Sequence, residues 1–367
     1  MSGESRERDK SAKFASNIAC VHHAKAHVCC LPLVWCDNCW SPSREYQMSE
    51  EIFDSVLVKA VEEIDCPGSK WRYLYNAPDA SETGIGEELQ EKYGYSAEAV
   101  RDQIQKIKAQ SSDDLIPVAL SGGLNAEAAC AALQIRTTET DKDRALRLIA
   151  SPVATERELG VELLFCYDGS GFENEVISKL YELSKIETES PVLANLCWAM
   201  SNLNAPEAVA HLKHLVNHED SNVRYALTRC FFGTVESDGI WSLVDLSRDE
   251  EYEIRDWAVA GLRCTVENLL ADLDWLKEVF LERLDDEDRI TRLEALTALI
   301  KLNHKSERVL GVMKAELETD PVPPIAIDAA VSFASPLLKE TLKSLRERTK
   351  SDDPYIPDIQ KAMEACN

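Results

Sequence analysis

The chain has 367 residues, 45% of them hydrophobic, with 40 Lys and Arg against 65 Asp and Glu and a formal charge of −25. The length suffices for two ordinary domains or one long repeat array, and the apolar content suffices for a buried core. The acidity is spread out, 14 basic against 22 acidic residues in 1–140 and 26 against 43 in 141–367; such a surface repels phosphate backbones, which excludes nucleic acid as an expected partner, and favours a protein with a basic surface.

The N-terminus, MSGESRERDKSAK, is polar and no secretory signal follows it, and no run reaches the ~18 apolar residues of a membrane span. A cytoplasmic protein without membrane association is expected. The stretch CVHHAKAHVCCLPLVWCDNCW, residues 20–40, then concentrates cysteine and histidine. Cys20 and His23 are separated by two residues, as are Cys36 and Cys39, and twelve residues lie between the two knuckles. That spacing offers four ligands for one structural zinc, thiolates and an imidazole in a closed tetrahedral set. Two other readings stay open: a cysteine-rich amphipathic helix packed on the first repeat, and an iron–sulfur site, for which the close cysteine series is missing. The remaining cysteines, Cys66, Cys130, Cys166, Cys197, Cys230, Cys264 and Cys366, are solitary, and several fall in apolar helical stripes. They are expected to be buried thiols rather than a disulfide framework.

Residues 41–95 hold one clear helix, EEIFDSVLVKAVEEI, and a turn-rich segment with Trp71, Tyr73 and Tyr75 alternating. Together, residues 1–95 are expected to form a less regular N-terminal cap. Next, IPVALSGGLNAEAACAAL, 116–133, is similar to the SGGxDS loop of ATP pyrophosphatases, but Asn125 and Ala126 stand where that loop has Asp and Ser. No alternating strand and helix pattern follows it. The segment SSDDLIPVALSGGL instead reads as the turn and second helix of a repeat, with 97–110 as the helix before it.

From residue 96 to 367 the chain repeats. NVRYALTRCF, EIRDWAVAGL and ITRLEALTAL superpose on Arg224, Arg255 and Arg292, with Val223, Leu227 and Phe231, then Ile254, Ala258 and Leu262, then Thr291, Ala295 and Leu299 on one helix face. An acidic turn precedes each, and an amphipathic helix precedes each turn, as in 173–186, 206–216, 273–284, 308–317 and 337–350. Turns at 114, 151, 190, 220, 251, 288, 320 and 353 follow at intervals of 37, 39, 30, 31, 37, 32 and 33 residues, which makes eight units plausible. Asp suits the turn because its carboxylate accepts from backbone N–H groups at the start of the second helix.

These units resemble HEAT repeats, and HEDSNVRYALTRCF, DEEYEIRDWAVAGL and DDEDRITRLEALTAL resemble those of small bacterial HEAT-repeat proteins related to the phycobilin-lyase-type HEAT-like repeats. The resemblance implies an all-α, right-handed α-solenoid of antiparallel helix pairs, whose second helices line a concave, usually protein-binding surface. In that family the turn Asp and the second-helix Arg form a ladder between neighbouring repeats, and Asp220 with Arg224, Asp249 with Arg255 and Asp288 with Arg292 occupy those places. The unit SPVLANLCWAMSNL lacks the arginine.

No Ser, His and Asp set or paired-carboxylate pocket can be nominated, so no catalytic or cofactor-binding residue is expected. The function expected is a non-enzymatic adaptor or scaffold that binds another protein through its concave face, with Arg224, Tyr225, Arg229, Arg255, Trp257 and Arg292 as candidate contacts. An immunity or inhibitor protein that blocks a basic toxin or enzyme, and a lyase-like protein that handles a bilin or other cofactor, are the alternatives.

Overall fold

A computed structural model describes residues 97–366 apart from 168–169, 270–272 and 351–352. The expected cap at 1–95, with Cys20, His23, Cys36 and Cys39, lies outside the described residues. Those residues are helical or irregular, with no strand among them, and their contacts divide the chain into two compact units at Cys230 and Phe231.

In the first unit the helices are α1 (Ala97–Ile107), α2 (Ser112–Ala119), α3 (Leu124–Gln134), α4 (Glu139–Ile149), α5 (Ala154–Leu164), α6 (Glu173–Ser184), α7 (Ser190–Asn202), α8 (Ala208–Leu212) and α9 (Ser221–Cys230). In the second they are α10 (Ser237–Leu246), α11 (Tyr252–Asn268), α12 (Leu276–Arg283), α13 (Arg289–Lys301), α14 (Glu307–Glu318), α15 (Pro324–Phe333), α16 (Lys339–Arg348) and α17 (Ile356–Ala365). Each even-numbered helix is joined by a short turn to the odd-numbered one after it. In both units the odd-numbered helices pack successively, α3 on α5, α5 on α7 and α7 on α9, then α11 on α13, α13 on α15 and α15 on α17. The repeating unit is therefore a first helix, a turn and a second helix, and each pair finds part of its core on the next.

The apolar spacing explains which faces meet. Leu180, Leu196, Met200 and Leu212 are fully buried in the first unit, and Phe280, Leu293, Leu296, Leu299 and Met313 in the second. Helix α7 carries buried residues nearly all round, from Val192 through Met200, as a helix enclosed by α5, α6 and α9 must. Ser111, Thr138, Asp288 and Ser306 cap α2, α4, α13 and α14 through their side chains, so the turn aspartate acts as a cap for α13 as expected. For α5, α7 and α11 the capping residues Val153, Glu189 and Glu251 make no such bond.

One expectation is corrected. The segment SSDDLIPVAL is the first helix of a pair, because α2 packs against α3 and its Ser112 bonds Asp141 of α4, 2.7 Å away. The within-pair turn is Gly122–Gly123, at φ +80° and +77°, a backbone that glycine adopts without strain. Two glycines in series marked the turn itself; read as the end of a helix, they shifted the phase of the first repeat by one helix.

Candidate functional site

The arginines of the second helices share one geometry. Arg224, Arg255 and Arg292 each donate from Nη1 to the carbonyls six and five residues earlier, His218 and Glu219, Asp249 and Glu250, and Asp286 and Glu287, at 2.7–3.1 Å. Arg157 does the same to Ser151 at 3.1 Å. The rest of the fork reaches forward to the next pair: Arg157 to Glu187, Arg255 to Asp286 and Arg292 to Glu316. A planar guanidinium, with donors in a fixed fork, suits this double task better than an ammonium.

For Arg255 and Arg292 the forward carboxylate is Asp286 and Glu316, where Asp249 and Asp288 had been anticipated. Asp220, Asp249 and Asp288 take the N–H of Asn222, Glu251 and Thr291 in their own turns, while Arg255 and Arg292 bind their turn's carbonyls and a carboxylate of the following pair. Arg224 and Arg255 are 7% exposed and Arg229 5%, so these three of the candidate contacts are enclosed. Tyr225, Trp257 and Arg292 are partly exposed. Helix α7 has the buried Leu193 where its neighbours have arginine.

Between the second helices of the first unit lie polar and aromatic groups, of which Cys130, Gln134, Trp198 and Arg229 are buried and Glu158, Glu162 and Tyr225 half-buried. The Cys130 thiol of α3 donates to Glu162 Oε1 of α5 at 3.1 Å, and Gln134 Nε2 donates to the same oxygen at 3.0 Å. Burial, and the neighbouring charges of Glu127 and Glu158, outweigh these bonds and lift Glu162 to about 7. Burial also raises Glu158. Cys130 and Cys197 are pushed well above the usual thiol range, chiefly by burial, which makes them packing residues rather than nucleophiles. Further along, the Trp198 ring lies 6.1 Å from Tyr225 and 5.8 Å from the Arg229 guanidinium.

In the second unit the corresponding groups are ionic. Arg263 of α11 bonds Glu294 of α13 at 2.5 Å and Glu267 of its own helix at 3.0 Å, and Lys301 lies 3.6 Å from Glu267. Beside it Trp257 meets the edge of Phe232 at 5.9 Å. The joints α3–α5 and α7–α9 in the first unit and α11–α13 in the second are thus filled by side chains from both helices.

Two features of the molecule were passed over in the sequence. Glu162 is a lone acid inside the apolar run LGVELLFCY, and that interruption was its signal. Trp241 sits in the first helix α10 and Trp275 just before α12, where aromatic residues read as core, yet both are exposed. The six described cysteines are free, five of them buried. Among the described residues no group of His, Cys, Asp and Glu is arranged to hold a metal, and no helix is long and apolar enough to cross a membrane.

No protein-family model matches the chain, and no curated protein matches it in sequence. Solved structures do match. The X-ray structure of YibA from Escherichia coli aligns with a TM-score of 0.61 at 20% identity, over 72% of this chain and 95% of that one. An engineered protein aligns at 16% identity over 85% of this chain and 91% of its own, with a TM-score of 0.45. The likeness to YibA is one of fold, and the class it defines with the helix pairs described above is an all-helical repeat-like protein.

Proposed function

We propose that the chain is a HEAT-repeat adaptor, a right-handed solenoid without catalytic activity that binds another protein through its second-helix surface. The observation that supports this most is the way consecutive second helices share side chains within each unit, Cys130, Gln134 and Glu162 in the first and Arg263 and Glu294 in the second. Helices joined in this way hold the half-exposed Glu158, Tyr225, Trp257 and Arg292 in fixed positions on a surface long enough to suit a protein partner. The net charge of −25 selects a basic partner, and in a cytoplasmic setting it keeps nucleic acid away. A single structural zinc on Cys20, His23, Cys36 and Cys39 belongs to the same proposal, as a fastening of the cap.

The test is crosslinking and capture from native lysate with the full chain, compared with Glu158→Lys and Trp257→Ala. Both positions lie on second helices and neither makes an arginine clip, so the fold is expected to survive. A partner lost on either change supports the reading. A chain that captures nothing specific at any salt, or the same proteins from all three baits, defeats it. A purified chain that carries colour or attaches a bilin to an acceptor would replace it with the lyase reading, and a duplex mobility shift at ~150 mM salt would remove the exclusion of nucleic acid.

A further inference from the structure

The first helices of the second unit present a surface that the adaptor reading, centred on second helices, does not use. Along α10 and the turn that follows it, Asp238, Trp241, Asp245 and Arg248 are exposed three or four residues apart, and along the strip formed by Trp275 and α12 so are Trp275, Glu278 and Glu282. The two rows are in register at both ends. Trp241 and Trp275 stack at 4.5 Å with their planes 24° apart, and Arg248 bonds Glu282 at 2.8 Å. Asp245 is one turn beyond Trp241, and Glu278 one turn beyond Trp275. These two carboxylates therefore fall between the indole pair and the ion pair, one on each helix.

Two indoles 53% and 40% exposed leave a large apolar area in water, which is costly where nothing covers it. An indole face attracts a cation, most strongly the planar guanidinium, and a carboxylate at the edge takes its donors in pairs. Lys277, the nearest cation on α12, is engaged with Asp274 at 2.7 Å. With a surplus of acid over base along the whole chain, the complementary occupant is positive.

We propose that the Trp241–Trp275 stack, with Asp245 and Glu278 beside it, docks an arginine-rich segment of a partner protein. This deepens the adaptor reading and rests on it only in taking the partner to be a protein. An arginine of that segment lies along the indoles and turns its fork to the two carboxylates. A lysine-rich segment of equal charge binds less well, because a compact ammonium stacks poorly.

The experiment titrates the full chain with a synthetic peptide alternating arginine and glycine, and with its lysine counterpart, following tryptophan fluorescence and affinity at two salt concentrations. Trp241→Ala is expected to weaken the arginine peptide about 5- to 30-fold, and the double change Asp245→Asn with Glu278→Gln about 2- to 5-fold. Glu340→Gln with Glu347→Gln, the same loss of charge on α16, is expected to leave binding unchanged. If the two double variants weaken it equally, or Trp241→Ala binds as tightly as the parent, or the lysine peptide matches the arginine one, the proposal is wrong. Because Trp241 is exposed, its variant should keep the parent's melting temperature; Trp241→Leu, apolar but without the indole face, repeats the test should the alanine variant melt lower. A peptide that binds as expected, while lysate capture returns nothing, defeats the adaptor reading and leaves the docking site standing. The reverse result defeats the site alone.

Discussion

Glu162 and Asp286 occupy comparable stations, one in each unit. Each is a carboxylate shut between consecutive helix pairs, and each receives hydrogen bonds from the neighbouring pair. They titrate in opposite directions. Burial raises Glu162 to about 7, since its donors are a thiol and an amide and its other neighbours are acids. Burial would raise Asp286 too, but the Arg255 fork and the N–H of Asp288 more than offset it and hold the group below the ordinary aspartate range. The same enclosure strengthens one joint and loads the other, according to whether a cation comes with the acid.

The contrast breaks most severely at Asp286. Asp286→Ala leaves the guanidinium of Arg255, whose side chain is 8% exposed, with its turn carbonyls and the exposed Glu287 but without its buried carboxylate, and is expected to cost about 2–4 kcal/mol, below the penalty for a fully uncompensated charge. Denaturant melts should show it in the second unit. Arg255→Met with Asp286→Leu should return much of the loss, because an apolar pair of similar volume needs no desolvation.

The next effect is smaller and depends on pH. A carboxyl whose folded value lies above its unfolded one lends its full stability below the unfolded value, and that stability is lost as pH rises through the folded value. For Glu162 the loss therefore runs from about 4.5 to about 7. Glu162→Gln should flatten thermal melts across that window and gain, at pH 8, up to ~3 kcal/mol in the first unit, an upper bound because the residue keeps some water contact. Identical pH profiles for parent and variant would end the comparison. Asp286 has the opposite sign: its contribution is complete above the ordinary aspartate value of 3.8 and fades only as pH falls through its lowered folded value.

Gly160→Ala sharpens the account of the first unit without charge. A methyl there would stand 2.8 Å from Ile149 and Leu148, so α4 and α5 must part, at an expected cost of about 1–3 kcal/mol. The melt should shift by that amount equally at pH 5 and pH 8, unlike the Glu162 variant. The least effect is expected at the rim of the second unit, where Arg248 and Glu282 are 43% and 49% exposed. Arg248→Ala should change stability by less than ~1 kcal/mol and fade further in salt.

The helices from 173 to 350 were legible because each repeats an apolar face at three and four residues, and an acidic turn marks each start. The arginine positions were legible for the same reason, as Arg224, Arg255 and Arg292 fall in one phase. Their acceptors were not. A guanidinium that binds carbonyls leaves no mark in composition, and Asp288, the nearest aspartate to Arg292 in sequence, turned out to cap a helix while Glu316 of the next pair received the fork. At 111–124 the period itself misled, since Gly122 and Gly123 fit either end of a helix. Exposure of Trp241 and Trp275 was hidden because a spacing that places a residue on a face does not say which face the neighbouring pair covers.

The arginine clips also give the chain a direction in time. In Arg157, Arg255 and Arg292 one half of the fork holds carbonyls already made, five or six residues upstream, while the other half waits for a carboxylate 30, 31 and 24 residues downstream. On a ribosome each turn can thus be fastened as soon as its own helix emerges, and each new pair delivers the acid that closes the joint behind it. Assembly would advance from the N-terminal side, one pair at a time, and a nascent chain halted just before residue 286 would hold Arg255 clipped to its turn and still open to the next arrival.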